Sequence, residues 1–215
     1  MTCTKERFLR DVASHVVEVI RDDGVNRHIR FRKPDTMCYH FDLITWPGYL
    51  CYTGDMGTFV FRRLTDMFEF FRTKPYKDRD PLDQIDRRYW AEKLEATDKN
   101  GGHVEFDKEA FQREITVQRR KLLLEHGRDM PKGERESLCA SLEEVKDAAD
   151  EGKEQAYVAV QEWVYHQGPY NDTTRIYLDT DDFPDYKTYT FSFRWCCFAL
   201  AWGIQQYDKA KGPTT

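Results

Sequence analysis

The residues able to do chemistry gather in three places. The first is a basic stretch made of Arg27, His28, Arg30, Arg32 and Lys33. A guanidinium binds phosphate or carboxylate through two parallel N–H donors, which a lysine ammonium cannot reproduce. Arg62 and Arg63 extend this stretch if their strand lies near it, and Tyr49 or Tyr52 offers a ring for stacking. The competing reading is a solvated sheet face balanced by Asp22, Asp23 and Asp42. The second place is the acidic run Asp179-Thr180-Asp181-Asp182, with Asp185 close behind. Hard cations such as Mg²⁺ and Mn²⁺ take carboxylate oxygens, so Asp179, Asp181 and Asp182 form a candidate metal site. A solvated loop explains the same run more simply, since a D-x-D pattern is common by chance. The third is Gly54-Asp55-Met56-Gly57, whose backbone can approach a ligand closely. It lacks the G-x-x-x-x-G-K-[ST] order that cradles phosphates, and a hairpin needing glycine explains it more simply.

The remaining candidates are weaker. The six histidines have no metal-ligand spacing. His103-Val104-Glu105 has the H-x-E order of zinc deaminases, but no P-C-x-x-C follows it. Cys196-Cys197 sits among Trp195, Phe198 and Ala199, which favours buried, inert thiols over a redox pair. No G-x-S-x-G elbow is present. No catalytic residue is assigned and no cofactor is implied.

The elements that must position these residues are legible from period and punctuation. Lys5 to Ser14 has helical spacing. His15 to Ile20 reads as a strand, Asp22-Asp23-Gly24 as a turn, and Asn26 to Lys33 as the returning strand. Alternation there puts Ile29 and Phe31 on a core face and His28, Arg30 and Arg32 on the other. Phe41–Trp46 and Tyr49–Thr53 are strands joined through Pro47-Gly48, which suits a type II turn. Thr58–Phe61 returns after the second glycine pair. Asp66 opens a helix, with Glu69 placed to complete a capping box. The first 75 residues are therefore an antiparallel β-meander with packed helices, and residues 76–215 a mostly helical region whose C-terminal strand or helix rejoins the core. The fold class is α+β.

Within the second region, Asp80-Pro81 starts a helix whose stripe of Leu82, Ile85, Tyr89 and Leu94 runs to about Ala96. Asp107 caps another helix that ends at Gly127. Leu138, Leu142, Val145 and Ala149 form an amphipathic stripe. Helical spacing resumes after Gly152 and runs to Gly168-Pro169. Arg175–Leu178 is extended, Thr188–Phe193 alternates, and Trp195–Tyr207 reads as a buried helix.

Composition bounds the compartment and the partners. A net charge of -5 argues against a general nucleic-acid coat. The charged fraction of 33% would suggest disorder, but 14% aromatic residues supply the burial that folding needs. Met1–Arg10 has no apolar signal-peptide core, and the apolar run Trp195–Ile204 is shorter than the about 20 residues that span a bilayer. Scattered cysteines without C-x-x-C pairs fit reduced thiols in a cytosol.

Several local strings together resemble a set of small phage- and prophage-encoded proteins of uncharacterised function. They are Asp11-Val12-Ala13, Asp22-Asp23-Gly24, Arg27-His28, Ile44–Gly48, Gly54–Gly57, Asp66-Met67-Phe68 and the ending Trp202–Asp208. The resemblance implies a bacterial host cytoplasm and an accessory role in infection, such as inhibiting a host defence. The leading expectation is a non-catalytic binding protein that contacts a host protein complex, without a membrane. A nucleotide signal or nucleic acid is the other partner class. Its contact residues would be Arg27, His28, Arg30, Arg32, Tyr52 and Arg62. The alternative is an enzyme acting on a nucleotide or phosphate ester through a divalent metal on Asp179, Asp181 and Asp182.

Overall fold

Apolar alternation and turn chemistry build the N-terminal sheet strand by strand. The computed structural model describes residues 2–73, 79–99, 101–168 and 174–212, with only the backbone of Asp182. In chain order the elements begin with α1 (Lys5–Asp11), β1 (Val16–Asp23), β2 (Asn26–Arg32), β3 (Phe41–Trp46), β4 (Tyr49–Gly54) and β5 (Gly57–Arg62). Then come α2 (Met67–Phe71), α3 (Arg87–Ala91), β6 (Leu94–Thr97) and β7 (Val104–Phe106). The helices α4 (Lys108–Glu125), α5 (Lys132–Asp147) and α6 (Lys153–Glu162) follow, with β8 (Val164–Gln167), β9 (Thr174–Tyr177), β10 (Lys187–Tyr189) and α7 (Phe191–Lys211). The fold is α+β.

The chain forms two compact units, Met1–Val104 with Tyr189–Thr215, and Glu105–Thr188. The boundary expected near residue 75 falls outside the described residues. In the first unit β1 to β6 form one antiparallel meander in sequence order. Gly48 at φ +86° and Gly57 at φ +93° occupy the left-handed region that the two tight reversals require. Matched registers put Ile29, Leu43, Tyr52 and Phe59 in one row across four strands. That row, with Phe31 and Phe41, is buried on the inner face of the sheet.

α7 packs against that inner face. Thr190 caps it by accepting a bond from the Phe193 amide at 3.2 Å. Trp195, Ala199, Ala201 and Ile204 are fully buried along it. A Cβ on Gly203 would sit 3.1 Å from Leu43 Cδ1 and 3.2 Å from Phe31 Cζ, so only hydrogen fits there without displacing both side chains. α1 and α2 lean on α7: Phe8 meets Trp195 edge-on at 4.9 Å, and Phe68 meets Tyr207 at 5.2 Å.

In the second unit, helices α4 to α6 and the β8–β9 hairpin enclose a core of its own. It includes Phe111, Leu138, Leu142, Val160, Tyr165 and Ile176. Trp163 donates through Nε1 to Ser141 Oγ at 3.2 Å, and the Tyr165 hydroxyl to the Glu134 carbonyl at 2.8 Å, so both rings are buried with their polar atoms satisfied.

Three local expectations are corrected. The helix read from Asp80 to Ala96 breaks at Ile85, whose ψ is 112°. A 3₁₀ turn, the short α3 and the strand β6 replace it, because β6 pairs with β5 and extends the sheet. Helical spacing after Gly152 ends at Glu162, where extended Trp163 leads into β8. Asp66 does cap α2 by accepting from the Phe68 amide, but Glu69 pairs with Arg72 instead of reaching back. No helix among the described residues is long and apolar enough to cross a membrane.

The close approach at Gly203 is testable. Gly203→Leu forces the helix off the sheet and is expected to cost about 1–3 kcal/mol, read as a lowered midpoint in thermal or urea unfolding followed by circular dichroism.

Candidate functional site

Alternation along β2 divides the basic stretch between the two faces of the sheet. Arg27 shares the inner face with Ile29 and Phe31. Its guanidinium donates two bonds of 2.8 Å to the Asp66 carboxylate and lies 4.8 Å from the centre of the Phe68 ring. The side chain is 12% exposed. Arg27 therefore clamps the start of α2 and is not available to a ligand at the surface. Tyr52 is likewise on the inner face and fully buried, where desolvation pushes its phenol well above the usual range. Neither residue lines the surface expected from the sequence.

His28, Arg30 and Arg32 do stand on the outer face, already paired. Arg30 donates to both Asp42 oxygens at 2.9 and 2.8 Å, and His28 Nε2 lies 2.7 Å from Asp42 Oδ2. Arg32 Nε donates to Glu18 at 3.2 Å. Asp42 is only 6% exposed. Burial alone would push its carboxyl up, but the bonds and charges of Arg30 and His28 outweigh that and hold it below the usual range. The basic strand is thus an ion-paired network once folded.

An unpaired cation lies elsewhere on the same face. Arg62 is exposed, has no acidic partner among the described residues, and stacks 5.3 Å over the Tyr49 ring. Tyr49 in turn stacks on Trp46, with centroids 5.3 Å apart and planes 14° from parallel. The register Trp46↔Tyr49↔Arg62 makes this one row across three strands. The next row on that face is Ile44↔Cys51↔Val60, all part-exposed. Beyond it lie Thr53 and Thr58, whose hydroxyls bond at 2.8 Å beside Asp42. The outer face thus runs from an aromatic–cation row through an apolar row to a polar network. Sequence reading missed Trp46 and the Ile44–Cys51–Val60 row. Trp46 and Tyr49 flank the two-residue turn Pro47-Gly48, and residues flanking such a turn must share a face.

The other two candidates have structural explanations. Asp179 accepts from the Asp181 amide at 3.2 Å, capping the 3₁₀ turn Thr180–Asp182. Asp185 is bound by Lys153 at 2.9 Å and Lys187 at 2.5 Å. The side chain of Asp182 lies outside the described residues, and among those described no group of three His, Cys, Asp or Glu side chains is placed to hold a metal ion. A Cβ on Gly54 would lie 2.2 Å from the His40 carbonyl, so backbone packing demands that glycine. Cys196 and Cys197 are fully buried, and burial pushes the Cys197 thiol up to about 12.

Compared with protein-family models, with curated proteins and with solved structures, the chain matches none.

Two outcomes follow from this geometry. A free Asp carboxyl titrates near 3.8, above folded Asp42. On acidification the unfolded chain takes up its proton first, so the stability that Asp42 contributes is complete above that value and is lost as the pH falls through the folded one. Asp42→Asn is expected to cost about 1.5–3 kcal/mol at neutral pH and to flatten the acid side of a stability-versus-pH curve. Separately, an aromatic disulfide reagent should label exposed Cys38 in the native protein and reach Cys196 and Cys197 after denaturation.

Proposed function

We propose that this chain is a non-catalytic binding protein of phage origin that acts in the host bacterial cytoplasm, where it inhibits or modulates a host defence or regulatory complex. The observation that carries the reading is the outer sheet face, where the Trp46–Tyr49–Arg62 ladder borders the part-exposed row Ile44–Cys51–Val60. Trp, Tyr and Arg supply most of the energy at protein interfaces, and they do so when surrounded by contacts that exclude water. The resemblance of the local strings to phage-encoded proteins supports the setting.

A protein partner fits this face better than a nucleic acid. Binding along a phosphate backbone draws on several unneutralised cations. Here Arg30 and His28 are bound to Asp42, and Arg32 to Glu18, which leaves Arg62 as the unpaired cation of the ladder. An aromatic, weakly charged surface suits a partner's apolar anchor and one carboxylate for Arg62.

Tagged protein expressed in phage-infected bacteria, recovered after nuclease treatment, tests this. The expected result is a stoichiometric protein complex that survives gel filtration. Trp46→Ala and Arg62→Ala are each expected to weaken it by about 2 kcal/mol, roughly thirtyfold. A partner retained equally by both variants, or lost on nuclease treatment, would overturn the reading.

A further inference from the structure

The two edges of the six-stranded sheet are protected very differently. β6 has four residues, whereas β1 has eight. An edge strand presents unpaired N–H and C=O groups, and proteins shield it by shortness, charged side chains, proline, bulges or a covering element. β1 carries charges and one bulge, but it is long and its charges are of both signs. β1 contains neither lysine nor proline, and it exposes Val16, Val19 and Ile20 at 49%, 48% and 49%. Such an edge invites another strand.

A local irregularity indicates which strand. The register of β1 on β2 shifts between Val19 and Arg21. Glu18 lies opposite Arg30 and Arg21 opposite His28. Arg30 and His28 share the outer face, since both bond to Asp42, so Glu18 and Arg21 share it too. In a regular strand, residues three apart face opposite ways. The extra residue at Ile20 reverses that, as a bulge does.

We propose that β1 pairs antiparallel with β1 of a second copy of this chain, about a two-fold axis that passes between Val19 and Ile20 perpendicular to the sheet. The axis sets Glu18 of each copy opposite Arg21 of the other, on the outer face, and sets Val19 of each against Ile20 of the other. Opposite charges and apolar pairs directly across a ladder are the favourable ones. An axis through Ile20 would put Glu18 against Asp22, and an axis through Val19 would put it against Ile20, so of the three the first alone pairs opposite charges, with Val17 and Val16 facing Asp22 and Asp23 towards its ends. Glu18 is 46% exposed in its pair with Arg32, and the Arg21–Asp23 pair is 61% and 75% exposed, so both groups remain open to a second partner. The self-complementary pattern is what a two-fold interface requires. It joins two sheets edge to edge with their outer faces continuous.

Sedimentation of the full chain from low to high micromolar concentration tests the pairing. The expected result is a 25.6 kDa monomer in reversible equilibrium with a species of twice that mass. Glu18→Arg and Arg21→Glu each replace two attractive pairs by two repulsive ones and should raise the dissociation constant about tenfold. The double variant restores opposite charges across the axis and should recover most of the affinity. Ile20→Lys should abolish the dimer while circular dichroism reports an intact monomer. A wild-type chain that stays monomeric throughout, or a dimer indifferent to all four variants, would overturn the proposal. So would failure of the double variant to recover when both single variants dissociate.

Discussion

Everything in the first unit depends on α7 lying close against the inner face of the sheet. That face is built from Phe31, Phe41, Leu43, Tyr52 and Phe59, and none of it tolerates water. Each fully buried side chain of this size contributes about 1.5–3 kcal/mol, which the conformational entropy of ordering the chain largely offsets. A helix of large residues would stand too far off to fill the space. Ala199 and Gly203, one turn apart on the same face, bring it near, and Trp195 fills the remainder beside Phe41. Trp195 keeps its one polar atom satisfied by donating to Asp11 Oδ2 at 3.2 Å. The small helices pack on α7 in turn, so they depend on its position more than on their own propensities.

Charge plays different parts on the two faces. Beneath the sheet Arg27 binds Asp66, and Arg72 donates to both oxygens of Asp208 at 2.8 and 3.0 Å, fastening α2 to its surroundings. Asp22 receives the Tyr207 hydroxyl and Lys211, both at 2.8 Å, which ties the end of α7 to β1. Above the sheet, Asp42 and Glu18 neutralise the cations of β2. Among the described residues, what remains available along the Trp46–Tyr49 ladder is the guanidinium of Arg62, which has no acidic partner. The proposed contact with a protein partner rests on that distribution.

The meander was legible because its signals are local. Pro47-Gly48, Gly54 and Gly57 mark reversals that no other residue types would serve as well, and alternation tells the core face from the solvent face. Where the reading of the candidate surface departs from the structure, neighbouring residues had been grouped without their parity. Arg27 and His28 are adjacent and therefore face opposite ways, and Tyr49 and Tyr52 are three apart in a regular strand and do the same. Ion pairing was harder to foresee. Asp42 reaches His28 and Arg30 only because β2 and β3 are paired with Arg30 opposite Asp42, a register that depends on the intervening loop as much as on the strands. β6 escaped notice because Leu94 continues a helical stripe by spacing, while the need of β5 for an outer neighbour is a property of the assembled sheet. α7 was legible over Trp195–Tyr207 from its apolar run, but not its start: Thr188–Phe193 alternates, yet the helix already begins at Phe191.

The order of these parts along the chain has a consequence for biosynthesis. The residues that cover the sheet follow the whole second unit in the sequence. β1 to β6 are synthesised before Glu105 to Thr188, and α7, which covers their aromatic face, after them. The second unit holds its own core and can close first. The nascent sheet must wait for Trp195 and its neighbours, a long-range closure of the kind that slows folding.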